Sequence, residues 1–139
     1  GNGGSHADKA VSSGAVSLDL SATTAAVGLG YTSNLQTLRL ESGSVDGTSQ
    51  GKPKRIHHIT LRLFRTVGLE VGSSSDDVDR VPFRDSSMAM DTAVSLFTGD
   101  KDIEFAGGFE EDERIYVRQT QPLPLTVLAL YARMNTFDI

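Results

Sequence analysis

Histidine and carboxylate side chains are the residues of this sequence that could act in catalysis or bind a metal ion. His57 and His58 are adjacent in an alternating apolar segment, and successive side chains of a strand point to opposite faces. The two imidazoles therefore cannot bind one metal ion together. A histidine among apolar strand neighbours more commonly packs or forms a hydrogen bond than reacts, so we assign neither residue a catalytic role.

Carboxylates cluster at two places in the sequence. The clusters are Asp76, Asp77 and Asp79, and Asp100, Asp102 and Glu104. Calcium needs several oxygen ligands that converge from one loop, and neither cluster follows the spacing of the helix-loop-helix calcium motif. We favour a solvated surface for both clusters and keep a calcium site as the alternative.

Other catalytic patterns are missing from the sequence. There is no glycine-rich phosphate loop and no serine flanked by the glycines of a nucleophile elbow. The chain has no cysteine, which excludes disulfides, thiolate metal ligands and a cysteine nucleophile. We therefore predict no catalytic residue, no metal ligand, no cofactor and no enzyme activity. A cell-wall hydrolase with paired carboxylates in a groove is the alternative.

The composition favours an all-β fold. The chain has 139 residues, which suits one domain, and its 14 glycines and short apolar runs are typical of strands joined by turns. We predict a β-sandwich or barrel-like domain of about seven to nine short strands with long polar loops. Residues 1–10 would be a flexible lead-in and 11–139 a single β domain. No apolar run is long enough to span a bilayer, so we predict no membrane insertion.

Residues 54–72 give the strongest strand signal. His57, Ile59 and Leu61 would lie on one face by alternation, and Gly68 would mark a bend before a further strand segment. Weaker signals predict strands at 16–20, 37–40, 81–85, 94–97, 103–107 and 114–120. Polar and glycine-rich segments predict loops or turns at 42–51, 73–80, 98–102 and 107–113.

The stretch "PLPLTVLAL" combines two prolines with the most apolar run of the chain. Pro122 and Pro124 would remove two donors from one side of a strand, so the strand would begin as an edge. Beyond them, alternation predicts one apolar face with Leu125, Val127 and Ala129, and another with Leu128 and Leu130. A strand with two apolar faces is covered twice, so we predict a buried interface strand that includes Leu125, Val127, Leu128 and Leu130.

Charge is distributed unevenly along the chain, although the net charge is only −5. Residues 52–65 contain five basic side chains and no acid, whereas residues 70–113 contain thirteen acids and three basic residues. Opposite patches suit self-association or a charged partner. The basic segment could also contact DNA phosphates. The alternative is that both charged segments are solvated loops that contact no partner.

Three blocks in chain order carry a family resemblance: "KPKRIHHITLRLFRTVGLEVG", "VPFRDSSMAMDTAVSLFTGDKDIEFAGGF" and "RIYVRQTQPLPLTVLALYARM". Together they resemble the C-terminal part of the tail tubular, or nozzle, proteins of short-tailed bacteriophages. The resemblance covers roughly residues 8–133, and "LFTGDK" and "RQTQPLPLTVLAL" are its strongest parts. Gly30 stands where that family has a proline.

The resemblance implies a structural virion protein and no catalytic residues. Nozzle proteins form a ring, usually of six copies, below the portal and the tail adaptor protein, and the genome leaves through the ring. The chain would be a fragment of a longer nozzle protein, located in the phage tail and assembled in the host cytoplasm. Its partners would be other copies of itself, the adaptor protein and, transiently, phage DNA. The alternative is a tail-associated receptor- or glycan-binding domain, for which Tyr31, Phe83 and Phe109 are the available aromatics.

A ring interface joins two different patches, so the two charged segments could meet between copies. The basic residues that would face a neighbouring copy or line the channel are Lys54, Arg55, Arg62 and Arg65. The acidic residues proposed to face them are Asp76, Asp77, Asp79, Glu110, Glu111, Asp112 and Glu113.

Overall fold

A computed structural model describes residues 1–41, 43 and 47–137 of the chain. The predicted loop 42–51 and the end of the predicted domain 11–139 lie partly outside these residues. The strands are β1 (Ser33–Gln36), β2 (Lys54–Thr66), β3 (Glu70–Gly72), β4 (Val78–Arg80), β5 (Phe97–Glu104), β6 (Tyr116–Gln119) and β7 (Val127–Thr136). The described residues contain no helix, which confirms the predicted all-β class.

The strands form two antiparallel sheets, as expected for a β-sandwich of short strands. One sheet has four strands in the order β1-β6-β3-β4, and the other has three in the order β5-β2-β7. The sheets do not close into a barrel. The core packs side chains of both sheets together, with Ile59 and Leu61 from β2, Val71 from β3 and Val117 from β6 among its buried members.

Strand β2 is the centre of the three-stranded sheet, and it carries a bulge. Its pairing with β7 shifts between Ile56 and His58, so His57 is an additional residue without its own partner. A bulge reverses the alternation of side chains on its two sides. Ile56 and Ile59 are therefore both fully buried, whereas His57 is exposed. The prediction that His57 shares the face of Ile59 was wrong.

The predicted bend after β2 is confirmed. Arg65 and Gly68 have positive φ angles of 45° and 84°, and the chain leaves one sheet there and enters the other as β3. Leu69 follows the bend and is fully buried. A side chain at Gly68 would also approach Leu123 and Gln121 closely, so glycine suits both the backbone and the space.

Several weaker strand predictions were wrong. Residues 16–20, 37–40 and 81–85 form no strand, and of 94–97 only Phe97 lies in one. Strand β4 lies inside the predicted loop 73–80. Strand β5 runs straight through the predicted turn at 98–102. Its side chains alternate between core and solvent across Gly99. The Lys101 ammonium lies 5.5 Å from the ring centres of both Phe83 and Phe97, so a charged residue can occupy the inner face.

The two prolines precede β7 and are not part of it. The carbonyl of Pro124 accepts a hydrogen bond from the Val67 amide at 3.1 Å, and the strand begins at Val127. The pairing with β2 then skips Leu128, a second bulge. Val127 and Leu130 consequently both pack toward the core, while Leu128 is 61% exposed. The prediction that Leu130 shares a face with Leu128 was wrong.

Gly72 ends β3, and a Cβ at this position would collide with the carbonyl oxygen of Asp77. The backbone cannot move away without disturbing the pairing of β3 with both β4 and β6. We expect Gly72→Ala to lower the free energy of unfolding by about 2–4 kcal/mol in chemical denaturation. Gly108→Ala is the control, because nothing lies within 4 Å of its Cβ position. Equal stability of the two variants would contradict this account.

Candidate assembly surface

Lys54 does not lie on the surface. Its side chain is 0% exposed, and its ammonium donates to the carbonyl of Ser49 at 3.4 Å. The backbones of Lys54 and Glu110 exchange two hydrogen bonds of 2.9 Å, which hold the acidic segment 110–113 against the start of β2. Lys54 can therefore neither line a channel nor contact another copy, and the prediction that it does so was wrong.

Glu113 is also buried, with 4% of its surface exposed. Its Oε1 atom has no hydrogen-bond partner among the described residues. Burial and, to a lesser extent, the nearby charge of Glu110 raise the pKa of Glu113 to about 7, while Lys54 acts in the opposite direction. The prediction of an exposed acidic partner at this position was wrong, since the carboxylate faces the interior.

Arg62 is held within its own chain. Its Nε and one terminal nitrogen each donate to a different oxygen of Asp100 at 2.8 Å, and its guanidinium lies 5.6 Å from the centre of the Tyr131 ring. The guanidinium lowers the pKa of Asp100, so the pair is ionised at neutral pH. The nearest acid to Arg62 is thus Asp100, and none of the predicted acidic partners takes this position.

The outer face is the side of the three-stranded sheet that points away from the core. Its side chains are Asp100, Asp102 and Glu104 on β5, His58, Thr60 and Arg62 on β2, and Leu128, Tyr131 and Arg133 on β7. The Thr60 hydroxyl donates to Asp102 at 2.6 Å, and His58 lies 3.4 Å from the same carboxylate. These contacts lower the pKa of Asp102, the Thr60 bond most.

Strand pairing arranges the outer face in rows that cross the sheet. One row is Glu104, His58 and Arg133, and the next is Asp102, Thr60 and Tyr131. A third begins with Asp100 and Arg62. Every row starts with a carboxylate on β5, and two of them end on β7 with a side chain that can donate a hydrogen bond. The sequence contained the alternating residues, but only the pairing register places them in rows.

The other predicted charges have separate positions. Arg39 and Asp112 form an ion pair with Nε–Oδ1 and Nη2–Oδ2 distances of 2.6 and 2.8 Å. Asp77 accepts a hydrogen bond from Ser73 at 2.9 Å in the β3–β4 hairpin. Besides Arg62 and Asp112, which are exposed but paired within the chain, the predicted charges that lie exposed are Arg55, Arg65, Asp76, Asp77, Asp79, Glu110 and Glu111. Within the chain, Lys54 contacts the acidic segment at Glu110, and the proposed contact between copies stays a prediction.

The carboxylate clusters form no metal site in the part of the chain that the structure describes, where no three acidic or histidine side chains are grouped to hold an ion. Within the same residues there is no helix that could cross a bilayer.

Neither a scan against protein-family models nor a search of curated proteins found a match to this chain.

Residues 18–38 expose large apolar side chains, of which Leu20 and Leu38 were predicted to lie in strands. Leu20, Val27, Leu29, Tyr31 and Leu38 are between 72% and 98% exposed. Only β1 forms a strand in this segment, and its four residues are all exposed. We call residues 18–38 the apolar arm. Its signal in the sequence was the spacing of single apolar residues among Gly, Ser and Thr, which is too sparse to build a core.

The buried carboxylate of Glu113 makes stability depend on pH. Its pKa is about 7 in the fold against an ordinary 4.5, so the folded state binds the proton more tightly, and stability falls as pH rises between these two values. Between about pH 5 and about pH 8, we expect the free energy of unfolding of the wild type to fall by an amount on the order of 1 kcal/mol because of Glu113. Glu113→Gln should not show this fall when both proteins are measured by chemical denaturation. Glu111→Gln is the exposed control. Parallel pH profiles for the wild type and Glu113→Gln would contradict the role of Glu113.

Proposed function

We propose that the chain is a structural component of a short-tailed phage virion, a building block of the ring-shaped distal tail tube through which phage DNA is retained and ejected. The resemblance of its three sequence blocks to nozzle proteins indicates which assembly this is. The structural observation that supports an assembled protein is the large accessible surface area of the chain.

The chain exposes 9425 Å² of accessible surface at a mass of 14.9 kDa. A compact monomer of this mass exposes about 7,000 Å². The excess is comparable to the surface that a stable protein interface removes from water. Surface of this extent is available for contact with another copy or another tail protein.

The apolar arm makes part of this surface hydrophobic. Leu29 is 98% exposed and Leu38 is 84% exposed, so large apolar side chains of the arm lie almost entirely in water. Burying a Val or Leu side chain contributes about 1.5–3 kcal/mol, so covering several arm residues would stabilise an assembly substantially. The partners proposed for this role are other copies in a ring of six and the tail adaptor protein, in the phage tail after assembly in the host cytoplasm.

A glycan- or receptor-binding domain is the second candidate, and the exposed aromatics favour it. Tyr31 is 81% exposed, and Phe109 packs edge-on against Phe137 with 6.1 Å between ring centres while 53% of it stays exposed. Phe83 does not contribute to such a site, because it is half-buried beneath Lys101.

Immunogold electron microscopy tests the proposal. Phage particles would be purified from the culture that produces the chain and labelled with gold-coupled antibodies raised against the chain. We expect gold at the distal end of a short tail, and six-fold symmetry in projections along the tail axis. A glycan array with the purified chain is the parallel measurement. Particles without tail label, or saccharide binding that Tyr31→Ala abolishes, would overturn the structural assignment in favour of the second candidate.

A further inference from the structure

We propose that the free edge of β7 pairs with the free edge of β5 in a second copy of this chain, so that the three-stranded sheet continues from copy to copy. This inference rests on the proposed function, and it names the surfaces through which neighbouring copies join.

Both edges are open in the described part of the chain. Strands β5 and β7 pair only with β2, and no other backbone hydrogen bond from Thr98–Glu104 or Val127–Thr136 reaches a third segment there. The Phe105 amide donates to the His57 carbonyl at 3.1 Å and the Phe137 amide to the Pro53 carbonyl at 2.8 Å. These two bonds fix which peptide groups face β2.

Peptide groups alternate in direction along a strand. On β5, the groups of Ile103 and Lys101 face β2 with that of Phe105, so those of Asp100, Asp102 and Glu104 point outward. On β7, the groups of Asn135, Arg133 and Tyr131 face β2 with that of Phe137, so those of Leu130, Ala132 and Met134 point outward. Each edge thus presents a regular series of donors and acceptors to a new strand.

Strand β7 lacks the features by which natural edge strands avoid pairing. Its 10 residues contain no proline, no lysine and no acid, and Arg133 is its only charged residue. Its bulge lies near the beginning, at Leu128, and leaves the remainder regular. A long and largely apolar edge without protection is a template for another strand, so the surface of β7 is suited to being covered.

Charge complementarity selects β5 of a second copy as the occupant. Two rows of the outer face begin with a carboxylate and end with Arg133 or Tyr131. If the sheet continues, Arg133 comes beside Glu104 of the next copy and Tyr131 beside Asp102 of the next copy. Within one chain, two strand spacings of about 5 Å each separate Glu104 from Arg133, with His58 between them, and Arg133 attracts Asp102 across the same sheet. Continuation of the sheet would instead place Arg133 directly beside Glu104 of the next copy.

The direction of the strands agrees with a ring. Both β5 and β7 are antiparallel to β2, so they run parallel to each other. Rotation about a ring axis keeps strand direction, and β7 would therefore meet β5 of the next copy as a parallel pair. This is a heterologous contact, which can close into a ring. Pairing of β7 with β7 would instead give a two-fold dimer.

A charge exchange tests the contact. Light scattering of the purified chain over a range of concentrations should show association beyond a dimer that weakens as salt rises. Arg133→Glu and Glu104→Arg should each weaken association about tenfold or more, and the double variant should restore it. Glu111→Arg, at an exposed acid outside both sheets, is the control with the same charge change as Glu104→Arg and should associate like the wild type.

Three results would overturn the proposal: a chain that stays monomeric at all concentrations, a species limited to a dimer, or a double variant no better than the single ones. Thermal unfolding of dilute samples shows whether a variant fails to fold rather than to associate. The immunogold experiment of the preceding subsection does not depend on these measurements. If the tail is labelled but the double variant does not restore association, the edge pairing is rejected and the proposed function is not.

Amide exchange followed by nuclear magnetic resonance gives a second test. The outward amides of Leu130, Ala132 and Met134 should exchange fast in dilute samples and at least about tenfold more slowly in the associated form, as paired amides do. The Tyr131 and Arg133 amides, which face β2, should be protected in both forms and serve as internal controls. Slow exchange of the outward amides in the monomer would show that another part of the chain covers the edge, and would overturn the proposal.

Discussion

The structure depends on strand β2, because this strand must pair on both sides and bury one face. Ile59, Leu61 and Leu63 are at most 1% exposed, and β5 and β7 satisfy the peptide groups on either side. An unpaired peptide group in such surroundings would cost free energy comparable to a lost hydrogen bond. The need to pair β2 on both sides therefore fixes the positions of β5 and β7. The bend at Gly68 then directs the chain into the four-stranded sheet.

The buried charges follow from the same constraint. Lys54 begins β2, so its position in the ladder takes its side chain inside together with the neighbouring Ile56. Glu110 bonds to its backbone, and this contact draws the acidic segment inward until Glu113 is buried as well. A segment that the sequence presents as four consecutive acids thus has two environments. The backbone contact at the start of β2, and not the local composition, determines which of these acids is exposed.

The all-β class, the long central strand and the bend at Gly68 could be predicted from the sequence, because alternation and glycine chemistry are local. The faces of individual residues could not. One additional residue at His57 and one at Leu128 reverse the alternation, and bulges have no local signature that distinguishes them from regular strand. The turn expected near Gly99 failed for a related reason: the pairing of β5 with β2 outweighed a local preference. The rows of the outer face depend on register and were likewise beyond the sequence.

The apolar arm stays exposed because the core is built from residues later in the chain. A core with Ile56, Ile59 and Leu61 at its centre draws its buried members from β2 and the elements that follow it, and residues 18–38 contribute no buried hydrophobic residue. The apolar side chains of the arm therefore remain in water unless something outside this fold covers them. Hydrogen bonding at an edge is directional and supplies register, whereas apolar burial supplies most of the free energy and little direction. An assembly that uses both would gain its geometry from β5 and β7 and its stability from the arm.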